Sequence, residues 1–289
     1  MTDTQSARTI LVIGATGNQG GGLVGHLLSS KAWNVRALTR SPDGEKARAL
    51  ARRGVQVVAG DMDDAAALDA AMEGAHGVFS MQEQAPEDDP MHEARQGIAV
   101  ADAARRAGVS HLVYTASCGA KEPNRGVSYW DAKRAVIEHI RAIGIAHTVL
   151  RPVSFMENYV ASRDAVAAGV IHGLLTPDKT LQVISGHDIG AFAAAAFTRP
   201  DDFLGQEIDI AAETVTMNDI AAALGRVAGH EVVYRQIPRE EWHRVPPSGL
   251  AMNAWYQEYG YDEDIPALKR RWGIPLLTFE EWLRAIGWR

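Results

Sequence analysis

Between residues 9 and 151 the chain repeats one pattern: a short, β-branched apolar run, then a longer stretch whose apolar residues recur every three or four positions. The runs predict strands at Thr9–Ile13, Asn34–Thr39, Val55–Ala59, His76–Met81, His111–Thr115 and Ala146–Leu150. Helices are expected between them. Leu23, Val24, Leu27 and Leu28 share one face after Gly20, and further helical patterns cover Glu45–Arg53, Ala65–Met72, about Met91–Ala107 and about Tyr129–Ile143. Gly108 and Gly144 stand where the last two should stop. Strands alternating with helices predict an α/β chain with a doubly wound parallel sheet. After Pro152 the alternation breaks down. Short strands at Thr180–Ile184, Gln206–Ile210 and Glu231–Arg235, with helices near Ile189–Thr198 and Met217–Val227, predict a smaller mixed α/β region. The expected division is 1–152 and 153–289, with the chain free to cross back to the sheet. From Pro238 onward Trp242, Trp255, Tyr256, Tyr259, Tyr261, Trp272, Trp282 and Trp288 crowd the tail. That density predicts a small hydrophobic core, with some rings available to wall a cleft.

The junction after the first strand is the most informative stretch. Ile13 runs into Gly14-Ala15-Thr16-Gly17-Asn18-Gln19-Gly20, with glycine at every third position. A buried strand, a glycine turn and a helix N-terminus together form an anion site. Gly14 permits the sharp turn, Gly17 lets backbone N–H groups approach a pyrophosphate, and Gly20 lets the helix lie close to the strand. Thr16, Asn18 and Gln19 can add side-chain hydrogen bonds. The sheet is therefore expected to be of Rossmann type and to bind a dinucleotide. The second strand ends in Thr39-Arg40, about 20 residues further on, where an acid would receive the ribose of NAD and an arginine the 2′-phosphate of NADP. Arg40 favours NADP(H); the competing reading is a solvated surface arginine. After the third strand, Asp61 can reach an adenine amino group and Met62 can pack on its ring, whereas Asp63 or Asp64 suits a helix cap. Ser80 and Met81 end the fourth strand, at the edge where ligands of parallel sheets bind. The acidic stretch Gln84–Pro90 reads as a solvated loop.

Composition narrows the classes. The 289 residues are 46% hydrophobic and 22% charged with a net charge of −7, an ordinary globular make-up without a basic nucleic-acid footprint. One cysteine, Cys118, leaves no disulfide framework and fits a reducing cytoplasm. The polar start and the five-residue apolar run after it predict neither a secretory signal nor a membrane span. His92-Glu93-Ala94-Arg95-Gln96 lacks the second histidine of a zinc helix, so no metal is expected. Ser185-Gly186-His187-Asp188 reads as a turn and helix cap, because contiguous residues cannot make triad geometry.

Tyr129 and Lys133 are four apart at a helix start, hence on one face, and Ser117 closes the preceding strand. In hydride transfer to a carbonyl, a tyrosine can donate the proton if its pKa falls from about 10. A neighbouring ammonium favours that and can also bond the cofactor ribose. Ser117 would orient the acceptor oxygen. The competing reading of Tyr129 is an aromatic with no proton-transfer role.

The glycine loop, Thr39-Arg40, Gly60-Asp61-Met62-Asp63-Asp64, Tyr129-Trp130-Asp131-Ala132-Lys133 and the tail Leu276–Leu283 together resemble the NmrA-like branch of the atypical short-chain dehydrogenases. The resemblance implies NADP(H) binding and a C-terminal region that completes a cleft. It also implies two functional outcomes: a reductase of quinones, dyes or other small molecules, or an NADP(H)-responsive redox sensor that regulates a partner protein; with the Tyr129–Lys133 pair, the expected acceptor is a small carbonyl, imine or quinone. Regulators of the family typically carry His-Phe where this chain has Tyr129-Trp130, which favours the reductase. In related enzymes the segment after the sixth strand contacts nicotinamide and substrate. That implies cofactor roles for Val153 and Phe155 and substrate roles for Phe155, Asn158 and Tyr159, with Met156 in the core; Trp130, beside Tyr129, is a further expected substrate residue.

Overall fold

In the computed structural model, which describes residues 7–83, 85–86, 88–122 and 126–288, the first half alternates as its periodicity demands, with ends shifted by no more than two residues. The order is β1 (Thr9–Ile13), α1 (Asn18–Ser30), β2 (Asn34–Thr39), α2 (Glu45–Arg52), β3 (Gln56–Ala59), α3 (Ala65–Met72), β4 (Ala75–Ser80), α4 (His92–Arg106), β5 (His111–Thr115), α5 (Ser128–Ile143) and β6 (His147–Pro152). Gly108 and Gly144 do end their helices, both at positive φ. The second half supplies β7 (Ser154–Phe155), α6 (Arg163–Ala167), β8 (Val170–Gly173), β9 (Thr180–Ile184), α7 (Gly186–Thr198), α8 (Pro200–Phe203), β10 (Glu207–Ile210), β11 (Glu213–Thr216), α9 (Met217–Ala228), β12 (Val233–Gln236), α10 (Pro247–Glu258), α11 (Ile265–Trp272) and α12 (Phe279–Ala285).

The large sheet has seven parallel strands in the order β10-β6-β5-β4-β1-β2-β3. The strand expected at Gln206–Ile210 is thus the seventh of this sheet. Its Ile208 and Ile210 are buried, and in register Asp209 faces Arg151 and Ile210 faces Pro152. Pairing covers what would otherwise be the open edge of β6. Helices α3, α4 and α5 bury one face of the sheet and α1 and α7 the other, so α7 too returns from the second half. Two small sheets, β11-β9-β7 and β12-β8, complete the C-terminal side. The aromatic tail is mostly core: Trp272, Trp282 and Trp288 are buried, whereas Tyr259 is half exposed. No described helix is long and apolar enough to cross a membrane.

Candidate functional site

The glycine loop is built as its spacing requires. Gly14 has φ +74, and its carbonyl accepts from Gly17 N–H at 2.9 Å, closing the turn. A β-carbon on Gly20 would lie 2.3 Å from the Gly14 oxygen, so α1 crosses the loop at a distance only glycine permits. Gly17 stands at the N-cap of α1 without a side-chain cap, which leaves first-turn N–H groups and the positive end of the helix for an anion. A β-carbon there would meet only Gly14 O at 3.4 Å and Met81 Cε at 3.8 Å, ordinary contacts with room beyond them. Thr16 is half-buried and Asn18 exposed at this rim. These residues fit a pyrophosphate. Gln19 departs from expectation: its side chain is buried, and its Oε1 accepts from Thr115 Oγ1 at 2.7 Å. It ties α1 to β5 and is not free to face a phosphate.

From the loop a cavity of about 740 Å³ runs across the carboxyl ends of β2 and β3. Gly14, Thr16, Gly17, Arg40, Asp61, Met62 and Met81 line it, as do Ser41, Lys46, Glu83, His92 and Gln96, which sequence reading missed. Lys46 was findable, since it follows Arg40 by one loop at the start of a helix. The loop after β4, read as merely solvated, rims the cavity through Ala85 and Pro86; its Gln84 and Glu87 lie outside the described residues. The fold sets an acid beside Arg40: Glu83 Oε2 lies 3.8 Å from Nη2, both side chains being largely exposed. The three aspartates divide their work. Asp64 caps α3 by accepting from Ala66 N and Ala67 N, Asp63 accepts from Gln96 Nε2 at 3.1 Å, and Asp61 lines the cavity. Ser80 is buried, its Oγ accepting from Gln82 Nε2 at 3.0 Å.

The expected catalytic set is not drawn together as a tyrosine–lysine pair. Tyr129 Oη donates to Met252 Sδ of α10 at 3.5 Å, and burial pushes its pKa up, with no cation offsetting that rise. Lys133 Nζ instead pairs with Glu93 Oε1 of α4 at 2.5 Å. Lowering of the phenol by the ammonium is therefore absent. The reason is tertiary: α10 packs Met252 and Trp255 over the first turn of α5, which leaves Tyr129 only half-buried beside them and turns its hydroxyl to Met252. Trp130, expected to face substrate, is buried in the same small core beneath Trp255. Ser117 is half-buried ahead of a 3₁₀ turn. Val153 is buried and Phe155 half-buried, while exposed Asn158 reaches back to Ser154 Oγ at 3.4 Å. Tyr159 turns into the C-terminal core against Phe279 and Met217. Met156 is fully buried.

Folding also creates a charged cluster that the sequence hides. Ligand atoms of Cys118, Asp209 and Glu263 lie within 4.8 Å of one another. Asp209 is already held by Arg151 across the β6–β10 pair and by Lys121 Nζ at 3.1 Å. Glu263 is pushed up to about 7, first by burial and then by the Asp209 carboxylate.

A parallel sheet whose first βα turn presents glycines to an open cavity at the strand ends defines a Rossmann-type protein with an NAD(P)-binding oxidoreductase fold. The NmrA-like family model matches residues 6–283, and the chain belongs to that family. The chain is 29% identical to (4-alkanoyl-5-oxo-2,5-dihydrofuran-3-yl)methyl phosphate reductase of Streptomyces griseus subsp. griseus, over 94% of this chain and 96% of that one. It is likewise 29% identical to NAD(P)H azoreductase of Xenophilus azovorans, over 96% and 97% of the two chains. Among solved structures it is similar to the NADPH-dependent quinone oxidoreductase of Escherichia coli complexed with NADPH, at 26% identity and TM-score 0.79, covering 96% of this chain and 99% of the other.

Proposed function

We propose that the chain is an NADP(H)-preferring oxidoreductase that reduces a small acceptor of quinone type, with residues 1–152 holding the cofactor and 153–289 walling the acceptor side. The observation that carries this reading is the cavity from the glycine loop to Arg40, where Lys46 and Ser41 join the arginine. Two cations and a hydroxyl suit a 2′-phosphate better than a bare ribose. A bound nicotinamide cofactor supplies the hydride. The chain's own residues bind and orient it: loop N–H groups for the pyrophosphate, Asp61 and Met62 for the adenine, and Lys133 for the inner ribose.

The choice of acceptor rests on Tyr129. Its hydroxyl is turned to Met252, and burial raises its pKa, which makes it a poor proton donor to a carbonyl or imine. A quinone needs no such donor, since its reduced form takes protons from water. Relatives named as quinone oxidoreductase and azoreductase support this direction. Cys118, the one cysteine, is unpaired, which suits a cytoplasmic setting. The same burial of Tyr129 favours a second reading, a silent NADP(H) sensor whose occupancy changes what a partner protein meets.

The test is a screen of NADPH oxidation against quinones, aldehydes, ketones and imines with wild-type protein and Tyr129→Phe. Quinone turnover that survives the substitution is the expected result. A fall of about 10²–10⁴ would restore Tyr129 as general acid. Absence of oxidation with every acceptor, together with NADPH-dependent partner binding, decides for the sensor.

A further inference from the structure

We infer that Glu93 is the positioning residue of Lys133, a buried carboxylate that fixes the ammonium beside the cofactor cleft. The inference rests on the NADP(H)-binding reading above. Glu93 lies in the first turn of α4, between His92 and Gln96, which both line the cavity. Its own side chain is 0% exposed and meets α5, where Lys133 is 13% exposed. The Nζ–Oε1 distance is 2.5 Å, and the second oxygen of Glu93 has no hydrogen-bond partner among the described residues.

Stability does not account for this pair. Removing a carboxylate and an ammonium from water costs about as much as their attraction returns, and apolar residues of equal volume would serve the core as well. What the pair does supply is direction. Lysine is a flexible stem carrying three donors. Glu93 takes one of them and holds the head between two helices packed on each other, leaving the others for the ribose that the proposed function assigns to Lys133. Tyr129 does not share this work, because its hydroxyl lies with Met252. The sequence pairs Lys133 with Tyr129; the fold pairs it with Glu93.

The experiment measures NADPH affinity by calorimetry, with thermal unfolding as the check on folding, for wild type, Glu93→Gln, Glu93→Asp, Lys133→Met and the double variant Glu93→Gln/Lys133→Met. Glu93→Gln is expected to weaken NADPH binding about tenfold, the scale of one misdirected charge-assisted contact. Glu93→Asp keeps the charge and should recover most of that loss. In the Lys133→Met background Glu93→Gln should change affinity less than about twofold, because the residue acts through the lysine. Affinity unchanged in Glu93→Gln overturns the inference. So does a Glu93→Gln effect that persists undiminished without the lysine, or an aspartate that rescues nothing. If Glu93→Gln does not fold, Glu93→Ala, which keeps the lysine and removes only the carboxylate, replaces it: NADPH binding at wild-type affinity overturns the inference and a tenfold loss supports it. A wild-type protein that binds no NADPH overturns the underlying reading itself, and this inference with it.

Discussion

At the scale of single residues, Gly17 and Gly20 look equivalent in the sequence and are not. A β-carbon on Gly20 would run into backbone at 2.3 Å, whereas one on Gly17 has ordinary contacts only. Gly17→Val should therefore keep the fold, with a melting temperature near wild type, and abolish NADPH binding by filling the pyrophosphate position. Gly20→Val should lose about 1–3 kcal/mol of stability or more in a denaturant titration, because α1 must move off the loop. Arg40 poses a different question, since Glu83 stands 3.8 Å away and competes for it. Arg40→Ala should lower the preference for NADPH over NADH about tenfold, the worth of one charge-assisted contact. Glu83→Gln should raise that preference. Calorimetry with both cofactors reads both substitutions, and equal affinities in the wild type would count against Arg40 altogether.

At the scale of elements, caps and helix partners decide which polar residues are free. Asp64 accepts from two N–H groups of the first turn of α3, leaving Asp61 to the cavity. Asp64→Ala should cost about 0.5–2 kcal/mol and leave NADPH affinity unchanged. Asp61→Ala should do the reverse, and urea unfolding beside cofactor titration separates the two. The spacing of Asp61, Asp63 and Asp64 made a cap legible but did not say which residue provides it. Tyr129 and Trp130 illustrate the opposite limit. Their place on the first turn of α5 followed from periodicity, but the helix that covers them is α10, more than a hundred residues away in sequence. Nothing local records that contact, so a pair that reads as proton donor and substrate contact packs into and against a small core.

For the whole molecule, the two halves are interleaved. Strand β10 and helix α7 come from the second half and complete the sheet and one of its helical faces. A fragment of residues 1–152 would expose the edge of β6 and the apolar face of α1. It should show no cooperative thermal transition, whereas the full chain should. The cluster around Asp209 joins the same pieces, with Arg151 on β6, Lys121 after β5 and Glu263 before α11. Glu263, raised to about 7 by burial and Asp209, binds its proton more tightly in the folded chain than in the unfolded one. Its contribution to stability is present below the ordinary carboxylate range and is lost as pH rises toward and through about 7. Urea midpoints measured from pH 5 to 8 should therefore fall less for Glu263→Gln than for the wild type.

The alternation of strands and helices, the glycine turn, and the cationic end of β2 were determined by the sequence itself. Each depends on spacing within a few residues: period two or 3.6 for the elements, every third position for the glycines, one strand length for Arg40. Pairings between distant segments were decided only in three dimensions. Gln19 turns to Thr115, Lys133 to Glu93, Tyr129 to Met252 and Arg40 to Glu83. Local spacing fixes the face on which a side chain emerges, whereas its partner depends on which element packs against that face. Competition for burial across the whole chain makes that choice, and no short stretch of residues contains it.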